Sequence, residues 1–234
     1  MTRREVLTML GASGAAVLNR NAFAQGAAPA CVVRPQQTEG PYFVDEKLDR
    51  SDIRSDPASG TMKPGAPLQI TLNVSRVSAG CTPLAGAIVD LWHCDALGAY
   101  SDVTDPGGST VGQKFLRGSQ VTDAGGRAHF TTIYPGWYQG RAVHVHFKIR
   151  TRPPSGTRPS SGPGHEFTSQ LYFDDALTDR IHALAPYATR GRRTVRNEGD
   201  GLFLQGGRQL ILGVTERGPG YAGTFDIGLQ IAGA

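Results

Sequence analysis

The sequence predicts an all-β fold: an antiparallel β-sandwich with long loops and one or two short helices. Three observations carry this. Apolar and polar residues alternate at the period of a strand, first at Leu68, Ile70, Leu72 and Val74. Clusters of Gly, Pro, Asp and Ser separate such runs. No long amphipathic helix interrupts them, and strands in series without helices bury their apolar faces by packing sheet on sheet.

After that first run, strands are expected at 87–92, 126–132, 142–149, 169–173, 207–215 and 224–232. One helix is expected at 175–183, capped by Asp174 or Asp175, with a second short turn near Pro186. Segment 152–164 is rich in Pro, Ser and Gly and reads as an exposed loop. There is no internal repeat.

The N-terminus reads as an export signal over residues 1–24. Arg3 and Arg4 open a twin-arginine-like region, an apolar stretch rich in Ala and Gly follows, and Ala22-Phe23-Ala24 offers a small-x-small cleavage site. The apolar run is shorter than the roughly 20 residues that span a bilayer, so no stable membrane anchor is expected. Residues 25–37 read as a leader segment and 38–234 as one domain. The signal implies the twin-arginine export machinery as a partner and a periplasmic or secreted location. Removing it takes away Arg3, Arg4, Arg20 and Glu5, so the formal charge falls from +4 to +2. The basic run Arg190, Arg192, Arg193 and Arg196 has no interleaved aromatic residues and reads as a solvated loop; nucleic acid is not an expected partner. Of the three cysteines, Cys81 and Cys94 flank a strand and are too far apart along it to pair without the chain folding back. Cys31 bridged to one of them is the expectation.

Tyr138, Arg141, His144 and His146 fall within one short run, PGWYQGRAVHVHFKIR. Residues two apart on a strand share a face, so His144 and His146 present two imidazoles together. A metal ion keeps such a pair neutral, and neutral imidazole is a common metal ligand. A second tyrosine, Tyr100, follows the strand at 87–92. Arg141 lies three residues before His144, so its strand parity is opposite and a bend is needed to bring it to the same place. His93, His129, His165 and His182 have no motif support and read as structural or exposed.

These motifs resemble the intradiol ring-cleavage dioxygenases, the catechol and protocatechuate dioxygenase group. The resemblance rests on Trp92 to Tyr100, on Pro135-Gly136-Trp137-Tyr138, on Arg141, His144 and His146, on Thr38-Glu39-Gly40-Pro41-Tyr42 and on Gln170-Leu171-Tyr172-Phe173. It implies a non-haem iron(III) held by Tyr100, Tyr138, His144 and His146. Two phenolates and two imidazoles form a hard donor set that suits this ion. The implied reaction is cleavage of a catechol by O2 between its two hydroxylated carbons, giving a cis,cis-muconate-type diacid. By resemblance Tyr138 is the phenolate that leaves the metal and accepts a substrate proton. Arg141 stabilises charge on the substrate ring, Gly40, Pro41 and Tyr42 fold over the substrate, and Gln170 and Tyr172 support the site and bind substrate. Only Gln139 and Gly140 separate Tyr138 from Arg141, fewer residues than in protocatechuate enzymes, so the pocket is expected to be open and tolerant of several catechols. A homodimer is compatible with the chain. Two other readings compete: a secreted β-sandwich binding module without catalysis, and a zinc hydrolase, which lacks a convincing third ligand.

Overall fold

The computed structural model describes residues 31–105, 107–151 and 164–231. The signal at 1–24, most of the leader, the loop at 152–163 and the last three residues of the chain lie outside them. The strands are β1 (Pro67–Arg76), β2 (Thr82–Pro83), β3 (Ile88–Trp92), β4 (Thr104–Asp105), β5 (Gly108–Ser109), β6 (Arg117–Val121), β7 (Arg127–Ile133), β8 (His144–Arg150), β9 (Glu166–Tyr172), β10 (Val214–Arg217) and β11 (Gly220–Leu229), with one α-helix, α1 (Asp175–His182). One sheet contains β10, β11, β1, β2 and β7; a second runs β6-β3-β8-β9; β4 and β5 form a separate small hairpin. Pairing is antiparallel throughout except between β1 and β11, which run parallel.

The core lies between the two large sheets. Leu68, Ile70, Leu72 and Val74 of β1 are buried while Gln69, Thr71 and Asn73 between them are not, as the alternation requires. Val89 and Leu91 of β3, Val145, Phe147 and Ile149 of β8, and Phe225 and Ile227 of β11 join them in one apolar cluster. Helix α1 is capped by Asp174, whose side chain accepts from the Leu177 amide at 2.8 Å.

Besides the unexpected two-residue strands β2, β4 and β5, three departures from expectation stand out. Residues 207–215 do not form one strand: Gly207–Leu210 is a 3-10 turn and the strand begins only at Val214. The turn starts from Gly206 at φ +95°, and it buries Gly207 and Leu210 against the body. Strand β6 was not expected, because RGSQV has no apolar alternation. It is covered by the backbone of the N-terminal segment, with Ser119 N–H donating to Leu48 O at 2.7 Å and Leu116 N–H to Ile53 O at 2.7 Å. A Cβ on Gly118 would lie 2.5 Å from Ile53 Cγ2, so glycine is what admits that segment. In the basic run Arg190, Arg192 and Arg196 are exposed, as expected of a solvated loop, but the Arg193 side chain is buried and paired with Asp175 and Asp179, bracing the run onto α1.

Cys31 pairs with Cys81, with Cα atoms 5.3 Å apart, and Cys94 is free and buried. The described part of the leader is fastened to the body: Gln37 N–H donates to Thr168 O at 3.0 Å and Arg34 Nε to Asp226 O at 3.0 Å. Among the described residues no helix is long and apolar enough to cross a membrane.

Candidate metal centre

Register assembles the site. Trp92 of β3 pairs with Arg117 of β6 on one side and His146 of β8 on the other, and His146 pairs with Gln170 of β9. His144 pairs with Tyr172 one row further along. Paired residues share a face, so Arg117, Trp92, His146 and Gln170 form one line across four strands, with His144 and Tyr172 beside it. This face looks away from the sandwich core. The N-terminal segment covers it: Lys148 pairs with Glu39 at 2.6 Å, and its ammonium lies 4.1 Å from the Phe43 ring centre.

Two loops bring in the tyrosines. After β3, the Asp95 carboxylate accepts from the Leu97 and Ala99 amides, each at 3.0 Å, shaping the turn that delivers Tyr100. After β7, the segment holding Tyr138 is pinned to that turn by Gly136 N–H donating to Asp95 O at 3.1 Å. A Cβ at Gly136 would sit 2.4 Å from Ala96 O, so the two loops meet at this distance only with glycine there.

Tyr100, Tyr138, His144 and His146 converge. His144 Nε2 is 3.0 Å from His146 Nε2 and 3.2 Å from the Tyr138 hydroxyl. The Tyr100 and Tyr138 rings are 5.6 Å apart and near perpendicular. His144 Nδ1 faces the Ala142 carbonyl at 2.7 Å; a carbonyl only accepts, so Nδ1 carries the proton and Nε2 turns a bare lone pair inward. His146 Nδ1 has no such acceptor among the described residues. Its ring is held by stacking on Trp92, 5.0 Å away and inclined by 7°, and by the backbone of Gly40, where a Cβ would lie 3.5 Å from Cε1.

Burial sets the protonation of all four groups. It pushes His144 down to about 3, with Arg141 adding to the effect, and His146 well below the usual imidazole value, with His144 adding there. Burial raises both phenols, Tyr100 most, and the Tyr138 phenol beside Tyr100 adds to that shift. The set is therefore neutral and under-satisfied. Two donors compete for one His144 lone pair, while the Tyr100 hydroxyl and His146 Nδ1 have no hydrogen-bond partner among the described residues. A small, highly charged cation fits these residues. It would take the inward lone pair of His144, and that of His146 once the proton there moves to Nδ1, and supply the positive charge that buried phenols need in order to ionise. No trio of His, Cys, Asp and Glu converges among the described residues; the phenols complete the set.

Arg141 reaches the site because β8 begins only at His144, and strand parity does not extend back to it. Gly140, at φ +86°, turns the chain just before it. Its guanidinium donates to Asp200 Oδ2 at 2.9 Å, Gln170 Oε1 at 2.5 Å and the Tyr172 hydroxyl at 3.3 Å. Burial opposes the charge, but the oxygens of Tyr138, Asp200 and Tyr172 outweigh it and raise the Arg141 pKa. Asp200 is the residue that the sequence reading missed. Burial favours its neutral form, yet the Ala142 amide and Arg141 hold it below the usual carboxylate range.

Gln170 and Tyr172 were expected to touch substrate as well as support the site. Both are fully buried and turned towards Arg141, Thr38 and Gln37, which leaves them a supporting place behind it. Tyr42 stacks on Tyr100 at 4.3 Å and meets Tyr138 edge-on at 5.9 Å. Pro41 is exposed in the turn that carries it there. Of the remaining histidines, His93 and His182 are buried and hydrogen-bonded, and His129 bonds Thr71 at 3.0 Å.

Two histidines of one sheet face meet two tyrosines delivered by loops, and the family model described as Dioxygenase matches residues 38–195 of this chain. The chain belongs to the intradiol ring-cleaving dioxygenases. It is similar to an intradiol ring-cleavage dioxygenase from Tetranychus urticae, at 30% identity and a TM-score of 0.72, with 86% of this chain and 95% of that one covered. The beta chain of protocatechuate 3,4-dioxygenase from Burkholderia cepacia is 28% identical over 195 residues, 78% of this chain and 74% of the relative. Chlorocatechol 1,2-dioxygenase from Pseudomonas putida is 31% identical over 124 residues, 44% of this chain and 42% of the relative, so the match spans less than half the length of that enzyme.

Proposed function

We propose that the protein is an exported non-haem iron(III) dioxygenase that cleaves catechol-type aromatics between their hydroxylated carbons to cis,cis-muconate-type diacids. Tyr100, Tyr138, His144 and His146 would hold the metal. The observation that carries this is the convergence of those four donors, with the two imidazole Nε2 atoms 3.0 Å apart and the Tyr100 hydroxyl without a hydrogen-bond partner among the described residues. The metal, when bound, supplies the Lewis acidity that makes a chelated catechol reactive towards O2.

The side chains divide the remaining work. Tyr100 is buried and confined by Tyr42, so it is the fixed phenol. Tyr138 is only partly buried and borders the open cleft, which suits it to swing out and accept a proton from an incoming catechol hydroxyl. Arg141, locked by Asp200, Gln170 and Tyr172, offers a fixed positive charge where the substrate ring becomes electron-rich. Export through the twin-arginine route, which carries folded proteins, would let the metal be loaded first; a periplasmic or secreted location follows from residues 1–24.

The visible spectrum of the purified protein tests the reading. Two phenolate ligands give iron(III) a broad visible band, which should move to longer wavelength when catechol is added without oxygen. A protein that stays colourless after iron reconstitution would overturn the assignment.

A further inference from the structure

The cleft beyond Tyr138 is larger than one catechol ring needs. Its volume is about 540 Å³, within the range that encloses drug-sized ligands. Tyr42, Tyr100, Tyr138, Leu97 and Val103 line it, with Tyr100 buried and Leu97 exposed. At the exposed rim stands Arg190.

Arg190 is the cation that lines this cleft among the described residues, and it is placed there by an aromatic ring rather than by an acid. Arg141, Arg193, Arg196 and Lys148 each contact a carboxylate. Arg190 contacts none among the described residues. Asp105, the carboxylate in the cleft wall, accepts instead from the Gly107 amide at 2.7 Å. The Arg190 side chain is nevertheless held. Its guanidinium lies 4.8 Å from the Trp137 ring centre, and Trp137 is pinned by its own Nε1–H donating to Gly191 O at 3.2 Å. It also lies across Gly98: a Cβ there would meet Arg190 Cζ at 3.0 Å and Trp137 O at 2.3 Å. Glycine, at φ +85°, makes the room. A guanidinium fixed by stacking, with its donor fork unused, suits a carboxylate.

We propose that Arg190 determines specificity by binding an anionic group, and that the substrate is a catechol carrying a carboxylate on a short side chain, a preference that would replace the broad tolerance expected from the short Tyr138–Arg141 segment. The ring lies at the tyrosine end, the linking carbons pass the apolar wall, and the acid meets Arg190. This rests on the proposed reaction for the ring end only.

The test uses the iron-loaded full protein without oxygen. Catechol, 3,4-dihydroxycinnamate and 3,4-dihydroxyphenethylamine are titrated against the visible band. A fourth probe, 3,4-dimethoxycinnamate, cannot chelate and is titrated by calorimetry. The acid should bind at least tenfold tighter than catechol, Arg190→Gln should abolish that difference, and Arg190→Glu should shift preference to the amine. Arg190→Gln should also weaken dimethoxycinnamate at least fivefold. Equal binding of acid and catechol by the wild type, or a preference that survives Arg190→Gln, would overturn the proposal. If no catechol moves the band, the proposed reaction falls, and the dimethoxycinnamate titration still decides the role of Arg190.

Discussion

Arg141 and Asp200, 59 residues apart in sequence, form a pair in which one carboxylate oxygen does two things: Asp200 Oδ2 accepts from Arg141 Nε at 2.9 Å and from the Ala142 amide at 2.8 Å. The carboxylate fixes both the guanidinium and the backbone just ahead of His144. Removing one partner of a buried ion pair costs about 3–5 kcal/mol. Asp200→Ala should therefore lose about 3 kcal/mol of stability in urea unfolding. Asp200→Asn keeps an acceptor for one donor, so it should fold with a smaller loss while kcat falls about tenfold or more. An unchanged kcat would show that Arg141 needs no fixed orientation.

Tyr100 gives a prediction of opposite sign for stability and function. Its hydroxyl is buried with no hydrogen-bond partner among the described residues, and a buried unsatisfied polar group costs about 1–3 kcal/mol. In the metal-free protein Tyr100→Phe should leave stability unchanged or raise it by about 1 kcal/mol, while iron stoichiometry and the visible band both fall. A clear loss of metal-free stability would mean that the hydroxyl has a structural task instead.

Gly136 links the two tyrosine loops. A methyl group there would meet the Ala96 and Asp95 carbonyl oxygens at 2.4 and 2.5 Å, so the loops must part. Gly136→Ala should cost about 1–3 kcal/mol. It should also weaken iron binding, because Tyr138 moves relative to Tyr100. A thermal melt and an iron titration of the variant check both.

Much of this was legible in the chain because it is local. Alternation announced β1, and a two-residue spacing put His144 and His146 on one face. The tyrosines and Arg141 followed from motif resemblance. What escaped depends on long-range backbone approach. Strand β6 exists because residues 48–53 cover it, so its own residues carry no apolar pattern. Asp200 sits in a turn whose side chain also caps the Leu202 amide at 2.7 Å, and nothing in NEGDGLF indicates that Arg141 lies on its other oxygen. Arg193 looks solvated in sequence; its partners on α1 are visible only once the chain has turned back.

His93 supplies a pH dependence whose sign follows from its contacts. Cys94 O lies 2.8 Å from Nδ1 and only accepts, so Nδ1 carries the proton; Nε2 must then accept from the Thr132 hydroxyl at 2.6 Å. A second ring proton would force that bond to reverse, with Nε2 donating to the hydroxyl, and burial first of all pushes the His93 pKa down to about 4. In the unfolded chain it is about 6.5. As pH falls from 6.5 to 4 the unfolded state takes up a proton that the native state refuses, so stability present above pH 6.5 is lost on acidification. The full span corresponds to about 3 kcal/mol at most. His144 and His146 shift in the same direction, so the measurement is a difference between wild type and His93→Asn, whose amide can still donate to Cys94 O but does not titrate. Urea unfolding of the metal-free proteins should show the wild-type advantage shrinking steadily between pH 6.5 and 4. A difference that stays constant across that window would mean His93 is already protonated in the native fold, and the Thr132 contact would need the opposite donor assignment.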